Sequence, residues 1–285
     1  MIRFSNGHTF EYMAASGALG FDGKGWPWEK PWGLFGFFDP TVFTSVTKTL
    51  TLQPREGNLR WYKPFHCVRL SSSGALNAVG LSNPGIGWWC KKIGPTVNSK
   101  KIDLVGSIFG ESEELSEMAG VLNDFDLVGL EINVSCHNIE NRIYRDTARV
   151  IASCEAVKAN SYYLPLILKI SVAHDVSQIV EKVAGIVEAI SINSVPWSRA
   201  FPNRRSPLEV FGGGGVSGKI AQPFTWALVK KITGLTSIPV IGPSIWDFKD
   251  LNKVRNLGAK AISFGSVFLR YPWRPTLYVR KERKK

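Results

Sequence analysis

The stretch "LVGLEINVS" (127–135) decides the fold. It opens as an unbroken apolar run, as expected of a parallel strand covered on both faces. It then passes into a polar tip, "EINVSCHN" (131–138), where the thiol of Cys136 stands between Asn133 and Asn138. Similar runs are "FTSVTKTLT" (43–51), "DLVGSIFG" (103–110), "LPLILKIS" (164–171), "AISINSV" (189–195), "IPVIGP" (238–243) and "AISFGS" (261–266). Between them, "DVSQIVEKVAGIVEA" (175–189) and "AQPFTWALVKKITG" (221–234) carry apolar residues at helical spacing, the second closing on Gly234. Strand alternating with helix over this length calls for a parallel sheet, and roughly eight βα units fit an α/β TIM (β/α)8 barrel. No Pro/Gly/Ser-rich linker divides the chain, so one barrel domain is expected over 1–275, with a basic C-terminal tail over 276–285.

Composition narrows the classes. With 285 residues, 44% of them hydrophobic and 20% charged, the chain can bury a large core. No apolar run reaches the ~18 residues of a membrane span, and "MIRFSNGHTFEYMAASG" (1–17) has no signal-peptide core. A cytoplasmic protein with no membrane partner is the expectation. The four cysteines form no CxxC pair and the four histidines show no ligand spacing, so no metal site is expected. The net charge of +12 is assigned to scattered surface lysines and the terminal "VRKERKK" (279–285) rather than to a nucleic-acid site, since no aromatic–basic motif accompanies it.

In a barrel of this kind the strand ends converge on one mouth. In order they offer Ser16 and Gly17; Lys48; Asn77; Ser107; Asn133, Cys136 and Asn138; Lys169; Asn193 and Ser194; Gly242 and Ser244; Gly265 and Ser266. No carboxylate ends the later strands, which speaks against metal-assisted hydrolysis and paired-carboxylate glycosidase chemistry. Amides that donate and accept suit a planar heterocycle, and lysines suit its anionic substituents and a reduced cofactor ring. Late Gly-rich loops suit a phosphate. Cys136 is the titratable group near the fourth strand suited to proton abstraction.

The segments "YMAASGALG" (12–20), "VTKTLTLQPREGN" (46–58), "LNAVGLSNPGIG" (76–87), "EINVSCHN" (131–138), "LILKIS" (166–171), "INSV" (192–195) and "GGVSGKIAQP" (214–223) occur in an order and spacing that resemble the dihydroorotate dehydrogenase family, FMN-containing TIM barrels of pyrimidine synthesis. The resemblance runs from about residue 2 to 270. It implies oxidation of dihydroorotate to orotate, with Cys136 taking the C5 proton and hydride passing from C6 to flavin N5. It also implies that Ala15, Ser16 and Gly17 lie against FMN, with Lys48 near flavin and substrate carboxylate. Asn77 and the Gly80 and Leu81 backbone would hold the substrate, as would Asn133, Asn138, Asn193 and Ser194. Lys169 would face the reduced isoalloxazine, and Ser107, Asn133, Ser217, Gly218, Gly242, Ser244, Gly265 and Ser266 would complete the FMN site. A cysteine base resembles the soluble class 1 branch. A homodimer and a separate electron-transfer subunit are the partners this implies.

The pattern departs in places. His137 follows the cysteine where the family has proline, and "IENRIYRD" (139–146) lacks the usual glycine-rich run. "FPNRRSPLEVFGGGG" (201–215) supplies an irregular stretch of its own. In "IPVIGPSIWD" (238–247), Pro243 and Ser244 replace two phosphate-binding glycines, and proline has no N–H to give. Two alternatives stay open from the sequence: a related flavin oxidoreductase acting on a dihydrouracil-type ring or tRNA dihydrouridine, and a flavin-less binding barrel.

Overall fold

The computed structural model describes residues 1–60, 62–63, 66–135 and 146–284. Among them eight short strands run parallel: β1 (Tyr12–Ala14), β2 (Thr44–Val46), β3 (Leu104–Ile108), β4 (Gly129–Asn133), β5 (Leu166–Ile170), β6 (Ala189–Ile192), β7 (Ile241–Gly242) and β8 (Ala261–Phe264). Their order is β6-β5-β4-β3-β2-β1-β8-β7. The edges meet through a parallel bridge between Ile190 and Val240, where the Ile190 N–H donates to the Pro239 carbonyl at 2.9 Å. Closure leaves no unpaired edge, and the sheet is the expected TIM barrel.

Helices cover the outside: α1 (Ile86–Lys92), α2 (Ser112–Leu122), α3 (Thr147–Asn160), α4 (Val176–Lys182), α5 (Gln222–Thr233), α6 (Asp250–Asn256), α7 (Val267–Arg270) and α8 (Arg274–Arg283). Their starts follow local chemistry. Glu111 and Glu114 form a capping box on α2, and Asp146 and Asp175 accept from the Ala148 and Ser177 N–H groups at 2.9 and 3.2 Å. The stretch 175–189, expected as one helix, stops at Lys182 because Gly185 turns the chain with φ +82°. Val183 and Val187 stay in the core, so the apolar period outlasts the helix. Residues 276–285, read as a tail, instead belong largely to α8. Its Pro275, Thr276 and Val279 are buried, and Glu282 takes the Tyr12 hydroxyl at 2.7 Å.

The barrel interior is layered. An N-terminal hairpin, Ile2–Arg3 with Thr9–Phe10, turns at Gly7 and drives Ile2, Phe4 and Phe10 into the floor. Above them lies an apolar layer of Met13, Val46, Val105, Ile167, Ala189, Ile241 and Ala261. Next toward the strand ends come Ser107, Glu131, Lys169 and Ser191, all buried.

A second sheet was not legible as strands. It runs Val195–Pro196, Gly215–Gly218, Gly74–Asn77, Val68–Leu70, antiparallel throughout. Asn77 therefore ends a strand of this satellite sheet and not of the barrel.

Candidate active site

The mouth is built from the inside face of β4. Side chains alternate along a strand, so Glu131 and Asn133 point into the barrel while Leu130 and Ile132 join the outer core. The register sets Ser107 opposite Glu131 and Lys169 opposite Asn133. Glu131 Oε1 lies 3.3 Å from Lys169 Nζ and accepts from Ser107 Oγ at 3.0 Å; Oε2 accepts from Ser191 Oγ at 3.0 Å. Both charges are buried, and a buried pair is tolerated only when its remaining lone pairs are satisfied, which the two serines do.

The network continues upward. Thr49 Oγ1 is the hub: it is 2.9 Å from Ser16 Oγ and from Ser107 Oγ, and it accepts from Asn133 Nδ2 at 2.9 Å. Ser135 Oγ donates to Asn133 Oδ1 at 2.6 Å, and Asn193 Nδ2 donates to Ser135 Oγ at 2.8 Å. Ser194 Oγ reaches Asn193 Oδ1 at 3.4 Å. Ser16, Ser107, Asn133, Lys169, Asn193 and Ser194 are thus brought together. Thr49, Glu131, Ser135 and Ser191 join them without having been singled out. The period-2 alternation through "EINVS" was the signal for Glu131 and Ser135, which share the Asn133 face.

Lys48 lies on the rim, where its ammonium donates to the Ser82 carbonyl. That carbonyl follows a turn in which Gly80 and Leu81 both have positive φ, +70° and +58°. For leucine this conformation is strained. It is held by Arg55 Nε on the Gly80 carbonyl at 3.2 Å and by Asn83 Nδ2 on the Leu81 carbonyl at 2.7 Å. Strain held in this way is a mark of functional turns. Asn77 stands one turn earlier, its backbone paired to Gly215 and Val68.

Ala15 and Gly17 border Lys48 and Gly265: a Cβ on Gly17 would meet the Lys48 side chain at 3.4 Å, and one on Gly265 would meet Ala15 Cβ at 3.5 Å. Ser217 Oγ is turned into the satellite sheet, donating to the Ala75 carbonyl at 3.2 Å. Gly218, at φ +83°, passes so close to Gly74 and Trp246 that a Cβ would lie 2.6 and 3.0 Å from them. Gly242 backs onto Val254 of α6. Ser244 adopts φ +63°, the conformation a glycine would take without strain. Its hydroxyl faces Thr225 Oγ1 at 3.0 Å on α5, so the side chain is turned away from the mouth. Among the described residues, no hydrogen bond takes the backbone N–H of Ser244, Gly265 or Ser266. Those donors suit a phosphate, and Lys169 suits an electron-rich ring.

Cys136, His137 and Asn138 lie outside the described residues, as does most of "IENRIYRD". The other cysteines are poor bases. Burial pushes the Cys67 and Cys90 thiols up and Cys154 up to about 12.

Comparison with known proteins gives the same picture. Residues 16–270 match the family model described as dihydroorotate dehydrogenase. The catalytic subunit of dihydroorotate dehydrogenase B (NAD(+)) of Maridesulfovibrio salexigens is 31% identical over 230 residues, covering 78% of this chain and 74% of that protein. The same-named subunit of Halalkalibacterium halodurans is 29% identical over 271 residues, 92% of this chain and 84% of its own. That of Bacteroides fragilis is 27% identical over 266 residues, 90% and 82%. The chain belongs to the dihydroorotate dehydrogenase family of oxidoreductases.

Proposed function

We propose that this chain is an FMN-dependent dihydroorotate dehydrogenase that oxidises dihydroorotate to orotate in pyrimidine synthesis. The observation that carries this is the branched hydrogen-bond network at the ends of the first six strands, in which Thr49 joins Ser16, Ser107 and Asn133, Glu131 joins Ser107 to Lys169, and Ser135 joins Asn133 to Asn193. Its donors and acceptors suit a flat amide-bearing ring, and family membership supplies the ring's identity.

FMN would be held by Ala15, Ser16, Gly17, Ser107, Lys169, Ser217 and Gly218, with its phosphate on the N–H groups of Ser244, Gly265 and Ser266. When bound, FMN supplies the two-electron acceptor for the hydride that leaves C6. Lys169 places positive charge beside that acceptor, and Glu131 fixes where the ammonium sits. Asn77, Asn133, Asn138 and Asn193 orient the pyrimidine, and Lys48 offers its charge to the substrate carboxylate. Cys136 Sγ, as thiolate, takes the C5 proton, and the two electrons left in the C5–H bond form the C5=C6 double bond.

The relatives' description as a catalytic subunit supports a second subunit that carries electrons onward to NAD(+). A homodimer is part of the same proposal. Anaerobic mixing of the purified, FMN-loaded protein with dihydroorotate tests the core of it. The visible flavin band should bleach as orotate appears. No flavin bound even after FMN is added, or no bleaching with flavin in place, defeats it.

A further inference from the structure

The connection from β1 to β2 carries an outer face that the barrel does not need. Residues 30–37 are exposed without interruption, and Leu34 and Phe35 at the tip are 88% and 73% exposed. Trp28, Trp32 and Phe37 flank them, all exposed. Exposed large apolar groups in such a cluster mark an interaction surface. The segment is braced from behind. Trp26 stacks on Trp28 at 5.3 Å, Phe21 bridges Trp26 and Trp88, and Trp32 meets Trp273 at 4.5 Å.

Its charge is one-sided. The sole acid in residues 23–38 is Glu29, which is fully buried and accepts from the Trp26 N–H at 2.8 Å. Burial pushes its carboxyl up to about 8, so it is neutral at pH 7. Helix α8 is joined to the same face. Arg280 bonds the Gly36 carbonyl and pairs with Asp39 at 3.1 Å, and Thr276 Oγ1 accepts from the Asp39 N–H at 3.0 Å. The sole acid of residues 265–284, Glu282, is likewise turned inward, onto Tyr12 and Arg255. Lys30, Arg280 and Lys284 are exposed on this side, while Lys281 lies over the Phe248 ring and Arg283 over the Tyr12 ring.

Aromatic and aliphatic tips ringed by cations, with their own carboxylates withdrawn, match the headgroup layer of an anionic bilayer, where tryptophan rings anchor and lysines meet phosphate. We propose that this face docks on an anionic lipid surface, with Trp28, Trp32, Leu34, Phe35 and Phe37 entering the headgroup–acyl boundary and the cations of α8 beside them. No helix among the described residues is long and apolar enough to cross a membrane, so the contact is peripheral. Trp26 Nε1 donates to the Gly17 carbonyl at 2.9 Å, so the docked face adjoins the barrel mouth.

The test is co-sedimentation of the full chain with large unilamellar vesicles of phosphatidylglycerol and phosphatidylethanolamine, beside vesicles of phosphatidylcholine alone. The wild type should pellet with the anionic vesicles and much less with the neutral ones, and added salt should release it. Leu34→Glu with Phe35→Glu should lower the partition coefficient at least about tenfold, since two side chains that would enter the bilayer become charged. Its melting temperature should not move, because both groups face solvent. Lys30→Glu with Lys284→Glu should weaken anionic binding by about tenfold and leave neutral binding alone. Two results would overturn the proposal. One is the wild type staying in the supernatant, or the Leu34/Phe35 variant pelleting equally. The other is a wild-type dimer in light scattering that this variant makes monomeric, which would assign the face to a second copy.

Discussion

Glu131→Gln is the most informative single change in this barrel. The substitution keeps the size of the side chain but removes the charge that faces Lys169 Nζ at 3.3 Å, deep among the strands. It also turns an acceptor of two serine hydroxyls into an amide that can accept at one atom only. A buried ammonium left without its counter-charge costs about 3–5 kcal/mol. Relaxation around the ammonium recovers part of that, so about 3 kcal/mol is expected. For a domain of this size that is a fall of about 6–12 °C in melting temperature. Thermal and urea unfolding of four proteins check it: wild type, Glu131→Gln, Lys169→Met and the double variant. If the cost is an orphaned charge, the double variant should be more stable than Glu131→Gln alone. A Glu131→Gln protein melting within a degree of wild type, or a double variant showing the plain sum of the single losses, would refute the ion-pair account.

Other outcomes can be measured in the same material. Cys136→Ser should leave flavin content unchanged and slow flavin reduction by dihydroorotate at neutral pH by about a hundredfold or more, as expected for loss of a general base; stopped-flow reduction reads it, and unchanged kinetics remove the assignment. Gly218→Ala should lower both stability and bound FMN, because the added methyl would sit 2.6 Å from Gly74 Cα at φ +83°; a well-folded variant with full flavin content contradicts this account of Gly218. Glu29→Gln should flatten the pH dependence of the melting temperature. The native carboxyl titrates near about 8 and the unfolded one near about 4.3, so its contribution is full at acid pH and is lost as pH rises between them. A wild type equally stable at pH 5 and pH 8, or a variant with the same slope, counts against the buried Glu29.

Much of the barrel was written locally. Seven of the eight barrel strands sit within apolar runs that can be picked out one at a time: 43–51, 103–110, 127–135, 164–171, 189–195, 238–243 and 261–266. Strands buried on both faces are apolar at most positions, and that leaves a mark no neighbour is needed to interpret. The strand β1, only Tyr12–Ala14, is too short to leave one. The satellite strands were illegible for another reason. Gly74–Asn77 and Gly215–Gly218 are short glycine-containing fragments that pair with each other across more than a hundred residues.

The candidate site divides in the same way. Lys48, Asn133, Lys169 and Asn193 could be named from the sequence because each stands at or next to the end of a legible strand. Thr49 could not, and Glu131 only as a residue on the Asn133 face. What gives them importance is the partners they meet, Ser16 and Asn133 for the one, Lys169, Ser107 and Ser191 for the other, and those come from five different strands or their ends. Ser244 shows the limit from the other side. Its identity suggested a hydroxyl for a phosphate, but its positive φ turns that hydroxyl onto Thr225 and leaves the backbone N–H as the donor. The sequence by itself determined the strand order of chemistry around the mouth, since apolar periodicity is a local property. Which polar groups pair, and which are left to face a ligand, was decided only by tertiary structure, because hydrogen bonds between strands depend on register and on closure of the barrel.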